Sequence, residues 1–253
     1  MSLRVIFTLF DEQKYENDPR EHVIRAYPGN IPDWAEECWL HCGDWAARTG
    51  RLFDDLESLA RWYQERGGVV CLAPNARQRP EQTMDLWKRW HEAGYGTVVP
   101  ILECRRGLND LDSIMTQAEF YNQWDDWKEH GLICLANPLE NSHNVAGKVV
   151  LACNLIRGIL GDDIKIHVLG AGWDTNDIQG WAELGCVDSI DSTAYYEDAK
   201  AGLRWQSRGV EPIYDDKTPW RELALHNARM ALEAARWGDN FRKQTGFWRG
   251  KKG

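Results

Sequence analysis

Seven short apolar runs, separated by longer amphipathic stretches, constrain this chain most. They are "LRVIFTLF" (3–10), "ECWLHC" (37–42), "VVCLA" (69–73), "TVVPILEC" (97–104), "LICLA" (132–136), "IKIHVLG" (164–170) and "CVDSI" (186–190). Most are β-branched and apolar on both faces, the pattern of buried parallel strands. Helix patterns lie between them. Phe53, Leu56, Ala60 and Tyr63 recur every three or four residues, as do Met84, Trp87 and His91. Segments 117–131 and 145–161 each end in Gly, which suits a helix C-cap. Pro219 precedes a long helix pattern over 220–238. "VEPIY" (210–214) would supply an eighth strand. Repeated βα units in 253 residues predict an α/β fold, a single-domain (β/α)8 TIM-type barrel over residues 1–240 with a basic tail over 241–253. An open doubly wound sheet is the alternative.

Composition sets outer limits. The net charge of −9 excludes a wholly basic nucleic-acid binder but not a local basic patch. Seven cysteines stand singly, several inside strand-like runs, as buried reduced thiols do in a cytoplasmic protein. No long apolar run or charged-then-apolar leader is present, so the expectation is a soluble protein with no membrane partner. Fourteen tryptophans supply core anchors and candidate base-stacking faces.

A barrel fixes where chemistry sits, at the C-terminal ends of strands and in the loops that follow. The candidates there are His41 and Asp44, Asn75, Glu103 to Arg106, Asn137, Gly170 to Trp173 (with Gly172), and Asp188 to Asp191. A carboxylate from the "CVDSID" strand would attack a sugar anomeric carbon, or both aspartates would simply cap the next helix. Gly170 and Gly172 would let backbone approach a flat ligand, or make a tight turn. Cys38, His41 and Cys42 suggest a metal site, but no partner CxxC accompanies them, so neither metal nor cofactor is expected. His41 or Asp44 would instead serve as a general acid or base. Asn75 would bond a base or sugar edge, or form a turn. "ECRRG" (103–107) and the tail, where Phe247 and Trp248 sit among Arg and Lys, would hold phosphate or be plain solvated surface.

Read in order, "HVLGAG" (167–172), "GCVDSIDSTAY" (185–195) and "AKAG" (199–202) resemble the C-terminal half of the tRNA-guanine transglycosylase superfamily. The match is specific over residues 164–205 and looser upstream. The resemblance implies a (β/α)8 barrel that exchanges guanine or a 7-deazaguanine on nucleic acid. The chain is closest in length to short phage relatives acting on DNA rather than tRNA, which would place it in a host cytoplasm. It implies Asp191 as the nucleophile, forming a covalent glycosyl-aspartate, with Asp188 orienting the loop. Lys200 and Arg204 would hold backbone phosphate.

Upstream the chain departs from the family. In "LHCGDW" (40–45), His41 stands where the family's general-base aspartate falls, with Asp44 nearby. Asn75 in "APNA" (73–76) replaces a base-reading aspartate, and Ala136-Asn137 replaces a glycine pair. The family's cysteine-rich zinc site is absent. The expected activity is therefore a divergent base-exchange transglycosylase. The alternatives are a catalytically silent nucleic-acid-binding or partner subunit, with a homo-oligomer also open, and a barrel glycosidase using Asp191 with Glu103.

Overall fold

A computed structural model of the protein describes residues 2–9, 18–20, 22–26, 32–43, 55–66, 70–138 and 145–245. The elements run β1 (Arg4–Leu9), β2 (His22–Ala26), β3 (Glu37–His41), α1 (Leu56–Gln64), β4 (Val70–Cys71), α2 (Pro80–Glu92), β5 (Ile101–Glu103) and β6 (Arg105–Leu108). Then come α3 (Leu111–Asn122), a 3₁₀ turn (Asp126–His130), β7 (Leu132–Ala136), α4 (Val145–Leu160), β8 (Lys165–Leu169), α5 (Thr175–Leu184) and β9 (Ser189–Ser192). The chain continues through α6 (Ala194–Lys200), β10 (Leu203–Arg204), β11 (Ile213–Tyr214) and α7 (Trp220–Thr245). Among the described residues, no helix is long and apolar enough to cross a membrane.

The main sheet has the order β4-β3-β2-β1-β9-β8-β7-β5, and its pairs are parallel. A parallel bridge between Leu72 and Val99 joins its two edges. Ala73 N donates to Val99 O and Val99 N to Cys71 O, both at 2.8 Å. The sheet is therefore a closed (β/α)8-type barrel, and the open-sheet alternative drops out.

The eighth strand is β2, not 210–214. Its "HVIRA" is short, carries His22 and Arg25, and has no helix pattern beside it, so it lacks the signature of a doubly buried strand. Ile213–Tyr214 instead pairs antiparallel with Leu203–Arg204 in a separate two-stranded hairpin. Two helix boundaries also differ from the sequence pattern. Segment 117–131 splits, because Asp110 caps an earlier start by accepting from Ser113 N at 3.2 Å, and the 3₁₀ turn ends at left-handed Gly131 (φ 55°). The last helix does not stop at Gly238 and runs to Thr245, past the expected start of the tail. A Cβ at Gly238 would lie 2.5 Å from both Ala182 Cβ and Gln179 O, so this glycine serves the close crossing of α5 and α7. Phe247 and Trp248 lie outside the described residues.

A closed parallel barrel has two apolar layers, and the period of two along each strand sorts residues between them. Ile6, Ile24, Trp39, Leu72, Ile101 and Cys134 belong to the lumen. Phe7, Leu40, Ile133, Val168 and Ile190 face the helices, where Trp87, Trp90 and Trp127 fill the outer core. Register carries the lumen face from strand to strand: Trp39 pairs with Ile24, Cys134 with Ile101 and His167, and Ile6 with Asp191.

Candidate active site

The same alternation decides which polar residues reach the barrel mouth. His41 follows inward Trp39 by two, Glu103 follows Ile101 by two, and Asp191 sits in register beside Ile6. Cys38 and Cys42 belong to the outer core, so they face away from His41. That parity removes the Cys38–His41–Cys42 metal arrangement. Among the described residues, no group of three or more His, Cys, Asp or Glu stands close enough to hold a metal ion.

Two polar networks occupy the mouth. The first centres on Glu103, which is fully buried. Its Oε2 accepts from Asn75 Nδ2 at 2.9 Å, and its Oε1 from Asn137 Nδ2 at 2.5 Å and Gln78 N at 2.8 Å. Gln117 holds the Glu103 backbone from behind, accepting from its N–H and donating to its carbonyl. Both Glu103 oxygens accept, so both asparagine amides turn their NH₂ groups toward them. Asn75 Oδ1 is then left facing His41 Nε2 at 3.1 Å, and that ring nitrogen carries the proton. Asn137 takes a left-handed backbone (φ 57°), a conformation asparagine tolerates better than most residues, to reach Glu103.

The second network holds Asp191, which is 7% exposed. Its Oδ1 accepts from Gly170 N at 2.5 Å, and His167 Nε2 stands 3.7 Å from the same oxygen. Among the described residues, its Oδ2 receives only a long contact from the Thr8 hydroxyl, at 3.5 Å. Oδ1 is thus the anchored oxygen and Oδ2 the available one. Burial pushes the Asp191 carboxyl up to about 6, against the opposing hydrogen bonds from Gly170 and Thr8. Burial pushes His167 down to about 3, helped by the nearby charges of His41 and Arg4. His167 is therefore neutral near pH 7, with Nδ1 2.9 Å from the Ser189 hydroxyl.

The glycines of "HVLGAG" have separate duties. Gly170 needs its positive φ of 71° to aim its N–H at Asp191. Gly172 needs closeness: a Cβ there would fall 2.7 Å from Ser192 Cβ and 3.1 Å from Asp191 O. Its own N–H donates to Asp191 O at 3.0 Å, and Ser192 Oγ donates to its carbonyl at 2.5 Å. The close approach is thus to β9 itself, which stitches the strand carrying Asp191 to the loop after β8.

Asp188 is not at the mouth. It opens β9 at the opposite end, where its Oδ2 accepts from Arg157 Nη2 at 2.9 Å and Ile166 N at 2.8 Å. It fastens β9 to β8 and α4, away from the end that carries Asp191. Lys200 ends α6 and Arg204 lies in β10 just after it, about 10 Å of helix past β9. Lys200 pairs locally with Glu197 at 3.8 Å, and Arg204 with Asp215 at 3.4 Å. Gly202 of "AKAG" is required by its φ of 77° and by the Tyr214 ring packed against it. Asp44 lies outside the described residues.

Three contributors receive no role from the motifs, although His167 opens "HVLGAG". Thr8 is hidden in an apolar run, His167 interrupts one, and Gln117 lies on a helix. A polar residue at a lumen position of an otherwise apolar strand was the available signal for the first two. Compared with models of known families and with curated proteins, the chain matches none.

Proposed function

We propose that this barrel is a divergent base-exchange transglycosylase that works through Asp191 on a nucleic acid, DNA before tRNA, with guanine or a 7-deazaguanine as the exchanged base. The observation that carries the reading is the asymmetry of the Asp191 carboxylate. One oxygen is fixed by Gly170 and the other is left for attack, in a buried position at a strand end. That is the arrangement a covalent nucleophile needs.

In this mechanism Asp191 Oδ2 attacks C1′ while the N-glycosidic bond breaks. The bonding pair leaves with the base, which takes a proton from Nδ1 of His41, placed there beforehand by solvent, while the Nε2–H stays on Asn75 Oδ1. The incoming base returns that proton to His41 as its nitrogen attacks C1′, and the C1′–Oδ2 bond breaks to restore the carboxylate. Asn75 orients His41, and Glu103 orients Asn75. Asn75 and Asn137, turned by Glu103, offer carbonyl oxygens to a base edge rich in N–H donors.

The test is incubation of the protein with DNA or tRNA and radiolabelled guanine or 7-cyano-7-deazaguanine. Label should enter the polymer, and intact-mass analysis of acid-quenched enzyme should show a glycosyl adduct that Asp191→Ala abolishes. Absence of label, together with an unchanged host nucleoside content in an Asp191→Ala strain, would refute the reading. Release of free sugar from a simple glycoside would move the site to glycosidase chemistry.

A further inference from the structure

Resting on that reading, we infer that Trp173 is a stacking platform for the nucleobase flanking the reacting nucleotide, so that the substrate is a polynucleotide strand rather than a free nucleoside. Trp173 lies just beyond "HVLGAG" and is 62% exposed, unlike the many tryptophans that fill the core. An exposed indole is ordinarily a mobile one, but this one is pinned at two points. Its Nε1 donates to Gly170 O at 2.7 Å, and its backbone N donates to Asp177 Oδ2 at 3.2 Å. Gly170 is also the residue whose N–H holds Asp191. Two hydrogen bonds of 2.5 and 2.7 Å, with one residue between them, place the indole nitrogen within about 9 Å of the carboxylate. Stacked nucleotides rise about 3.4 Å each along a strand, so the ring lies a few steps at most from the reacting sugar.

Exposure decides which base it meets. The exchanged base must sit against Asp191, which is buried, whereas the indole stands at the rim. Charge points the same way. Asp174 caps the helix that follows Trp173 and Asp177 holds the Trp173 backbone N–H, and the chain carries a net charge of −9, so a phosphate would be repelled there. The uncharged face of a base would not be, and base–aromatic stacking tolerates any sequence.

The experiment uses the full chain carrying Asp191→Asn, titrated with a fluorescein-labelled single-stranded oligonucleotide. Trp173→Leu should weaken binding roughly 10- to 100-fold. Trp173→Phe, which keeps a ring but loses the N–H, should weaken it much less. In 5-fluorotryptophan protein, the ¹⁹F resonance that Trp173→Phe removes should shift on adding oligonucleotide. Equal losses in the Leu and Phe variants would trace to the N–H anchor and overturn the platform, as would undiminished binding by Trp173→Leu or no binding at all. In parallel assays with Asp191 intact, base exchange that is indifferent to Trp173 would overturn the platform and leave the transglycosylase reading standing. Binding that depends on Trp173 without any exchange would do the reverse.

Discussion

Replacing Asp191 with Asn should stabilise the protein near neutral pH while abolishing the proposed base exchange. Burial raises this carboxyl from an ordinary 3.8 to about 6. A raised acid means that the ionised form is disfavoured in the folded state. The contribution is fully present below pH 3.8, where the group is protonated folded or unfolded, and is lost as pH rises through about 6. A displacement of about two units corresponds to about 3 kcal/mol of lost stability at pH 7.5. Asparagine keeps an oxygen for the Gly170 N–H and carries no charge, so it escapes that loss. Urea unfolding followed by far-UV circular dichroism at several pH values between 4 and 7.5 reads the difference. The variant should gain little near pH 4 and about 3 kcal/mol at pH 7.5, or roughly 6–12 °C in Tm for a domain of this size. His167 acts in the opposite sense: held at about 3 by burial, it lowers stability as pH falls below the usual imidazole range. It is present in both proteins and cancels in the difference. A pH-independent offset would refute the reasoning. So would an Asp191→Asn protein less stable than wild type at pH 7.5, since that would mean a protonated His167 pairs with the carboxylate.

Four further outcomes are expected. If Asp191 is the nucleophile, kcat/KM for base exchange should fall on acidification with a limb near 6, because only the carboxylate attacks. Glu103→Gln sets an NH₂ against Asn75 or Asn137 NH₂ groups, which should cost about 1–3 kcal/mol per unpaired donor in urea unfolding and uncouple Asn75 from His41. Gly238→Ala should lower stability by about 1–3 kcal/mol despite better helix propensity, because the new Cβ would press on the Gln179 carbonyl; scanning calorimetry measures it. Cys186 should be alkylated first by iodoacetamide, as peptide mass mapping would show. Hydrogen bonding from Cys153 lowers its thiol, with help from Arg157, whereas burial raises Cys71, Cys104 and Cys134.

The barrel was legible because doubly buried parallel strands write short, largely apolar runs, and seven of the eight strands fall in such runs. β2 does not, since His22 opens it and Arg25 interrupts it. The short connections on either side of β2 also remove the helix pattern that marks the other βα units. Within the site, Asp191, His41, Asn75 and Asn137 were legible as polar residues ending apolar runs. The hub role of Glu103 was not, although the residue ends a strand in the same way. It comes from Asn75, Gln78 and Asn137 converging on one carboxylate from separate loops, and no local spacing records that convergence.

Asp188 and Asp191 show what spacing alone leaves undetermined. Three residues apart on a strand, they stand about 10 Å apart along it. An odd separation also puts them on opposite faces. Asp191 therefore enters the lumen beside Ile6, where burial raises its pKa. Asp188 faces the helix layer at the strand's other end, where the Arg157 guanidinium pairs with it. Two identical side chains thus receive opposite assignments from parity and register. In the "DSID" segment only the second aspartate faces the lumen at the end where a barrel does chemistry, and the first holds that strand in register.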